Sequence, residues 1–330
     1  MPEPAQTTHA PLRVGVDLGG TNIQTGVVGP DAQILGRDKR KTDADAGYDG
    51  VLARIVASVR AACEEADIGL DELEGVGVGA PGPVEPSEGV VVTAVNLRWN
   101  DVPLARDLAG ALGRPVAVGN DADVALFGEW KHGAARGATD ALGVWVGTGI
   151  GGALILNGHP YHGAHHTAGE IGHIHFRPFN PPGMRSLEHN CSRTAIVDRV
   201  RHLIRSNRDS VITDLIGGKS QKIKSRHLAE AYTLGDALVC EVIDEAAESL
   251  GIAVGGIVTT LSLECVVVGG GLTEALGESY VARIRGEIQS VAFPNACKSV
   301  RVLESALGDD AGIVGAAEIV GAGAQHAPSA

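Results

Sequence analysis

The chain has 330 residues, with 27 Lys and Arg against 40 Asp and Glu, so its formal net charge is −13. Hydrophobic residues make up 44% and charged residues 20% of the chain, a composition typical of a globular protein and not of a disordered one. At this length we expect two domains, each with its own core. The acidic balance argues against an electrostatic nucleic-acid binder, so we expect no nucleic-acid partner.

Cysteine usage and apolar stretches predict a cytoplasmic protein. The five cysteines are odd in number and never paired as C-x-x-C, which argues against a disulfide framework and favours a reducing compartment. The first 11 residues lack the apolar core of a signal peptide. Residues 249–263 are uncharged but are interrupted by glycine, and they are fewer than the roughly 20 that a membrane helix needs, so we expect no membrane partner.

Apolar patterning in the first half predicts alternating strands and helices. We predict strands at residues 12–17, 22–28, 74–79 and 116–118, and helices at residues 48–66, 104–112 and 121–130. The first two strands are separated only by Leu18-Gly19-Gly20-Thr21. So tight a glycine turn predicts a hairpin.

The second half repeats this theme. We predict strands at residues 141–146, 153–156, 264–268 and 300–303, with a glycine turn at 147–152 and helices at 234–261 and 309–320. A glycine-turn hairpin near the start of each half indicates a duplicated α/β unit. Between them, residues 193–226 carry nine Lys and Arg against three Asp. We interpret this segment as a solvated helical insertion; contact with phosphate or with a partner is the alternative.

Two segments, residues 77–82 and 147–152, match G-x-G-x-x-G. A dinucleotide site requires the glycine turn to open a helix whose N-terminus faces the pyrophosphate. The first segment is followed by Pro83 and Pro86, and the second by an apolar strand. A nicotinamide cofactor is therefore disfavoured.

The hairpin turns Gly19-Gly20-Thr21 and Gly147-Thr148-Gly149 can still bind phosphate. Glycine lets backbone N–H groups converge on an anion, and the threonine hydroxyl adds a donor. One such turn alone would be interpreted as a tight hairpin, whereas two in matching positions favour a nucleotide held between domains. An acidic protein that binds polyphosphate also needs a cation, and Asp17 beside the first turn is placed to contact Mg²⁺ through water.

Five motifs are similar to those of ROK-family sugar kinases and come in the same order. They are Asp17-Leu-Gly-Gly-Thr21, Gly119-Asn-Asp-Ala122, Val146-Gly-Thr-Gly-Ile-Gly-Gly152, Ala168-Gly-Glu-Ile-Gly-His173 and Val268-Gly-Gly-Gly271. The resemblance runs from about residue 13 to 321. It implies an α/β, actin-like ATPase fold (a duplicated ribonuclease H-like fold) with two domains and a central cleft. We place the domains at residues 1–119 with about 308–330, and at 120–307.

The resemblance also implies an activity: transfer of phosphate from ATP, with Mg²⁺, to a hexose or N-acylhexosamine, often by a homodimer. Ala94-Val-Asn96-Leu-Arg-Trp99 resembles a stretch of the glucokinase-like members. We therefore expect a hexokinase- or glucokinase-type enzyme that phosphorylates the 6-hydroxyl of glucose. Fructose, mannose and N-acylhexosamines stay open as substrates.

Asp121 matches the catalytic base of the family. A carboxylate within reach of a sugar hydroxyl can accept its proton as the oxygen attacks the γ-phosphoryl group. The alternative for an Asn-Asp pair before an apolar helix is an N-cap, and one residue can serve both purposes.

The resemblance implies two further sets of site residues. The sugar-binding set is Gly82, Asn96, Asn120, Asp121, Glu170, His173 and Glu188. The ATP-binding set is Asp17, Gly19, Gly20, Thr21, Asn22, Gly147, Thr148, Gly149, Gly270 and Gly271.

The sequence departs from the family at the structural zinc. The three cysteine positions carry Phe179, Pro181 and Ser186, and only His173 of the four ligands remains, so we expect zinc to be absent. We expect proline stiffness and an apolar anchor in residues 177–183 to replace it. The alternative is a metal site rebuilt from the histidine-dense region, which comprises His159, His162, His165, His166, His173, His175 and His189, with Cys191.

Two other kinds of protein in the family are alternatives to a kinase. A transcriptional repressor of the family would carry a winged helix-turn-helix before the kinase-like region, and we expect no room for one ahead of Asp17. A non-catalytic sugar-binding relative fits the missing cysteines, but Asp121 and both glycine turns argue against it.

Overall fold

The computed structural model describes residues 11–218 and 221–323, so the first 11 residues, which lack the apolar core of a signal peptide, lie almost entirely outside the described residues. The strands are β1 (Leu12–Leu18), β2 (Asn22–Val28), β3 (Ile34–Lys41), β4 (Leu73–Ala80), β5 (Val84–Glu85), β6 (Val90–Ala94), β7 (Trp99–Val102), β8 (Val116–Asn120), β9 (Ala141–Val146), β10 (Ile150–Leu156), β11 (His159–Pro160), β12 (Cys265–Gly269) and β13 (Arg301–Glu304). The helices are α1 (Gly47–Glu65), α2 (Leu104–Leu112), α3 (Asp121–His132), α4 (Glu188–Cys191), α5 (Arg193–Arg205), α6 (Ile212–Leu215), α7 (Ser225–Thr233), α8 (Ala237–Leu261), α9 (Thr273–Leu276), α10 (Glu278–Val291) and α11 (Ala311–Gly323). None of the described helices is both long and apolar enough to span a membrane.

The chain forms two compact units. The first runs up to His132 and resumes at Asp310, and the second is Gly133–Asp309. Helix α3, which the sequence analysis assigned to the second domain, packs against α11 within the first unit.

The first unit contains a five-stranded sheet in the order β3-β2-β1-β4-β8. Strands β1 and β2 form the predicted antiparallel hairpin, whereas β4 and β8 run parallel to β1. A second, three-stranded sheet of β5, β6 and β7 follows β4. Its strands have only two to five residues, which is too short for a pattern to reveal them.

The second unit repeats the larger sheet strand for strand. Its order is β11-β10-β9-β12-β13, with antiparallel pairing of β9, β10 and β11 and parallel pairing of β12 to β9 and β13. The predicted duplication is confirmed. The predicted turn at 147–152 is too long, however, because β10 begins at Ile150, where Gly151 pairs with Trp145 and Gly152 with Val144.

Helix α11 packs unusually close to its neighbours in the first unit. A Cβ at Gly77 of β4 would collide with the backbone carbonyl of Ala316, and a Cβ at Gly315 would collide with that of Val124 in α3. Gly77 and Gly79 of the first G-x-G-x-x-G segment therefore serve packing against helices α11 and α3. The segment is followed by strand β5 and not by a helix, which agrees with the argument against a nicotinamide cofactor.

The basic segment after Arg193 is helical, as predicted, but it is more than a solvated insertion. Ile196, Val200, Ile204 and Ile212 are buried and belong to the core of the second unit, where α5 packs against α8. The lysines and arginines between them mask this apolar face in the composition.

Candidate active site

Three neighbouring parallel strands of the first unit end at one edge of the sheet. Asp17 of β1 pairs with Gly79 of β4, and Ala80 of β4 pairs with Asn120 of β8. Ligands of open α/β sheets bind outside the carboxyl ends of the strands. The structure thus brings Asp17 and the Asn120–Asp121 pair to the edge where such a site forms.

Asn120 caps helix α3. Its Oδ1 accepts hydrogen bonds from the backbone N–H groups of Ala122 (2.9 Å) and Asp123 (3.2 Å). Asp121 is the first helical residue, and its Oδ1 accepts a bond of 2.8 Å from Ala122 N. The capping role considered for Asp121 therefore falls mainly to Asn120.

Asn120 also fixes the turn after β4. Its Nδ2 donates to the carbonyl of Gly82 at 3.0 Å, so the oxygen and one amide hydrogen serve the fold, and the second hydrogen is what it could offer a sugar. Gly82 has a φ of +82°, and a Cβ there would collide with the carbonyl of Thr93. Only glycine lets the chain pass β6 at this point.

Asn96 lies beside the first glycine turn. It is exposed in the one-turn 3₁₀ helix Val95–Leu97, and its Cβ is 3.1 Å from where a Cβ on Gly20 would lie. Within the first unit, the predicted sugar-facing stretch and the predicted phosphate turn are thus neighbours.

A residue that the sequence analysis missed, Thr42, holds the first glycine turn. Gly19 N donates to Asn22 O (3.0 Å), and the buried Thr42 donates through Oγ1 to Gly19 O (2.6 Å) and through its backbone N to Thr21 O (3.0 Å). Lys41 Nζ also donates to Asn22 Oδ1 at 3.0 Å, which places a cation at the turn. Thr42 follows β3, which has the polar sequence ILGRDKRK and was not predicted.

In the second unit, Glu188 contacts the glycine turn, which is shorter than predicted. Gly147 N donates to Gly149 O at 2.9 Å, which closes the turn. Glu188, the first residue of α4, accepts a bond of 2.9 Å from Ile150 N through Oε2 and occupies the space that a Cβ on Gly149 would fill. A residue predicted to bind the sugar thus contacts the turn predicted to bind phosphate.

Glu170 and His173 form a separate pair. Glu170 Oε2 is 3.8 Å from His173 Nε2, across the short 3₁₀ helix Ile171–His173, and the imidazole is 76% exposed. The pair presents a carboxylate and an imidazole that can each bond hydroxyl groups.

The glycines after β12 adjoin the second turn. Leu272 N donates to Val146 O at 3.1 Å, and a Cβ on Gly270 would lie 2.8 Å from the backbone N of Val146. Around Gly271 there is open space instead. The predicted adenosine loop and phosphate turn are therefore continuous in the second unit.

Asp17 fits the carboxylate that Mg²⁺ requires. Its side chain lies against Gly312 in the first turn of α11, where an added Cβ would be 3.1 Å from Asp17 Cγ. An oxygen ligand at a strand end, beside a proposed phosphate turn, matches the ligands that Mg²⁺ prefers.

The residues at the family's zinc site do not fit zinc. Phe179 is fully exposed, so the expected apolar anchor is wrong, and the Ser186 hydroxyl is bonded to His189 Nδ1 at 2.7 Å. Hydrogen bonds hold the loop instead: Asn190 Nδ2 donates to Met184 O and Ser186 O, and Arg185 Nε donates to Asn180 O. Within residues 11–218 and 221–323, no group of three His, Cys, Asp or Glu side chains is placed to hold a metal, the histidine-dense region included.

Residues 13–322 match the ROK family. The chain belongs to the ROK family. It is 32% identical over 312 residues to a glucokinase of Thermotoga maritima (93% of this chain, 96% of that protein) and 31% identical to one of Halalkalibacterium halodurans (93% and 94%). The crystal structure of a ROK-family glucokinase from Streptomyces griseus, in complex with glucose and AMPPNP, superposes with a TM-score of 0.82 at 29% identity (93% and 98% coverage).

These similarities confirm the resemblance seen in the sequence. The chain is a glucokinase-like ROK protein with the actin-like ATPase fold, and its duplicated sheets are those of that fold. It is a phosphotransferase of the hexokinase and glucokinase type.

Proposed function

We propose that this ROK protein transfers the γ-phosphoryl group of ATP to the 6-hydroxyl of a hexose, with glucose as first candidate and Asp121 as general base. The main support for this proposal is the position of Asp121. It follows β8 at the carboxyl edge of the first sheet, while its neighbour Asn120 supplies the helix cap. The choice of glucose is supported by the relatives named glucokinase.

In the proposed reaction, the Asp121 carboxylate accepts the proton of the sugar hydroxyl as its oxygen attacks the γ-phosphorus. The bond from that phosphorus to the β,γ-bridging oxygen breaks, and ADP leaves with the electron pair. Asp121 starts each cycle as the carboxylate and returns the proton to solvent. The protein mainly positions the two reactants, because the hydroxyl and the phosphate supply the bonds that change.

The two glycine turns are proposed to bind the phosphates. Their backbone N–H groups and the hydroxyls of Thr21 and Thr148 are donors for phosphate oxygens, and Gly270 and Gly271 would let the adenosine lie close to the backbone. Mg²⁺, when bound through Asp17, would neutralise phosphate charge.

The sugar is proposed to contact Gly82, Asn96, Asn120, Glu170, His173 and Glu188, as the family resemblance implies. Carboxylates accept from hydroxyl groups, while the Asn120 amide donates its remaining hydrogen. The proposal also includes a homodimer, as the family resemblance implies, and a cytoplasmic location, as the cysteine usage indicates.

A coupled assay of ADP release tests the proposal. Wild-type protein with ATP and Mg²⁺ is assayed against glucose, fructose, mannose, N-acetylglucosamine and N-acetylmannosamine, and the phosphorylated position is determined by ³¹P NMR. We expect the highest kcat/KM with glucose and a 6-phosphate product. Calorimetric sugar binding without ADP release from any sugar would instead identify a non-catalytic sugar-binding protein.

A further inference from the structure

The first turn of α5 is bonded to the second glycine turn, a role that the sequence analysis left open for the basic segment beginning at Arg193. Arg193 N donates to Gly147 O at 3.0 Å, and Thr194 Oγ1 donates to Thr148 O at 2.7 Å. Arg193 Nη2 also donates to Thr148 Oγ1 at 2.9 Å. The turn is therefore fixed by three bonds from two consecutive residues.

These bonds set the direction of the amide groups of the turn. In a trans peptide, the C=O of one residue and the N–H of the next point in opposite directions. Because the carbonyls of Gly147 and Thr148 point at α5, the N–H groups of Thr148 and Gly149 point away from it. Two consecutive N–H groups on the same side of a glycine turn form an anion-binding concavity.

Arg193 adds a positive charge beside the turn and also orients the Thr148 hydroxyl. The guanidinium has only donors, so Thr148 Oγ1 must accept in that bond, and its own hydrogen is left to donate elsewhere. The cation also stands beside a turn proposed to bind phosphates in a chain of net charge −13.

The helix itself is built to hold this arrangement. Ser192 caps α5 by accepting from Ala195 N at 3.2 Å, and Ile196 and Val200 anchor the helix in the core. Arg193 and Thr194 thus project from a fixed helix start.

We propose that Arg193 and Thr194 are positioning residues that aim the Thr148 and Gly149 amides and the Thr148 hydroxyl at the terminal phosphates of a nucleoside triphosphate. The inference rests on the proposed function and specifies how its second turn binds the nucleotide. It assigns to the start of α5 the phosphate-related role that was the alternative to a solvated insertion.

Thr194→Val and Thr194→Ser test the proposal, together with Arg193→Met. Thr194→Val removes the hydroxyl at nearly constant volume, and we expect it to raise the KM for ATP and the Kd for ADP about three- to tenfold, the effect of one lost hydrogen bond. Thr194→Ser keeps the hydroxyl and should stay within about twofold of wild type. Arg193→Met should weaken ATP and ADP in the same way.

Two readouts and one control variant separate positioning from a general loss of structure. The Kd for AMP, which lacks the terminal phosphates, and the calorimetric Kd for the sugar should not change in any of these variants. Arg205→Ala, at the exposed far end of α5, is the matched control and should bind ATP like wild type. Equal weakening of AMP, ADP and ATP, or an unchanged KM for ATP in both Thr194→Val and Arg193→Met, would overturn the inference.

The two proposals fail in different ways. Wild-type protein without sugar-dependent ADP release overturns the proposed function, whatever the variants do. An active wild-type enzyme whose Thr194→Val and Arg193→Met variants keep normal ATP and ADP binding overturns only the role of α5. Thermal unfolding of each variant shows whether it is folded. If Thr194→Val does not fold, Arg193→Met tests the role of α5 by itself.

Discussion

The carboxylate of Glu188 accepts a hydrogen bond of 2.9 Å from the backbone N–H of Ile150 and fills the space beside Gly149. The residue that the family resemblance assigns to the sugar is thus fixed by the turn that it assigns to phosphate. Under the proposed function, displacing the Glu188 carboxylate from this contact alters the sites of both substrates.

Gly149→Ala tests this link directly. The added methyl group would collide with the Glu188 carboxylate, so the side chain must move away from Ile150. We expect the KM values for both sugar and ATP to rise by about tenfold or more, since roughly 1.4 kcal/mol of binding corresponds to a factor of ten. Gly286→Ala in α10, where a Cβ meets nothing within 4 Å, is the control. Normal KM values in Gly149→Ala would mean that the contact is dispensable.

Substitutions of Asp121 and Asn120 should affect different properties, the first catalysis and the second stability. Because Asn120 carries the cap, Asp121→Ala should lower kcat about 10²- to 10⁴-fold while leaving the free energy of unfolding and the sugar Kd nearly unchanged. Asn120→Ala should instead lower the free energy of unfolding by about 1 kcal/mol. Urea unfolding and steady-state kinetics of both variants measure the difference, and an unchanged kcat in Asp121→Ala would remove this residue from the mechanism.

Features with strong local signals were predictable from the sequence. The hairpins at Gly19–Thr21 and Gly147–Gly149 follow from glycine turns between apolar strands, and the repeated order of elements indicated the duplication. The position of Asp121 after a strand end followed from an apolar strand and an apolar helix on either side of the Asn-Asp pair.

The features that the sequence did not reveal depend on contacts between residues that are distant along the chain. Strand β3 is rich in charged residues and is recognised by its pairing with β2, so Thr42 could not be connected with the turn that it holds. The contact of Glu188 with Ile150 joins residues 38 positions apart, and no spacing rule predicts it. The buried face of α5 was masked by the arginines between its apolar residues.

The close packing of α3 on α11 should make Gly315 essential for stability. A Cβ there would strike the backbone carbonyl of Val124, and a helix backbone cannot yield locally. We expect Gly315→Ala to lower the free energy of unfolding by roughly 2 kcal/mol or more. Gly110→Ala in α2, with no atom within 4 Å of the new Cβ, should raise it by about 0.5–1 kcal/mol. Chemical denaturation of the two variants reports the contrast, which equal effects would contradict.

Hydrogen bonds should stabilise the loop where the family has zinc. Asn190 Nδ2 donates to Met184 O (3.1 Å) and Ser186 O (2.7 Å), just after Glu188. Asn190→Ala should therefore raise the KM for the sugar by about tenfold, and Asn180→Ala, which removes a single bond to Met184 O, should have a smaller effect. A zinc-selective chelator should leave the wild-type KM and Tm unchanged; a rise in the KM or a fall in the Tm would reveal a metal that these residues do not explain.

Glu274 predicts a pH dependence of stability. Although Glu274 is exposed, partial desolvation, the charge and hydrogen bond of Asp309 and the charge of Glu304 raise the pKa of its carboxyl from 4.5 to about 7. Between these values the folded chain keeps a proton that the unfolded chain releases, so the stabilisation is complete below pH 4.5 and is lost as the pH rises through 7. Glu274→Gln carries a neutral amide at every pH, and its Tm should therefore fall less than that of wild type between pH 5 and pH 8. Glu230→Gln, an exposed position on α7, should behave like wild type in the same scans. If Glu274→Gln lost as much Tm as wild type over this range, its carboxyl would not be the group that titrates.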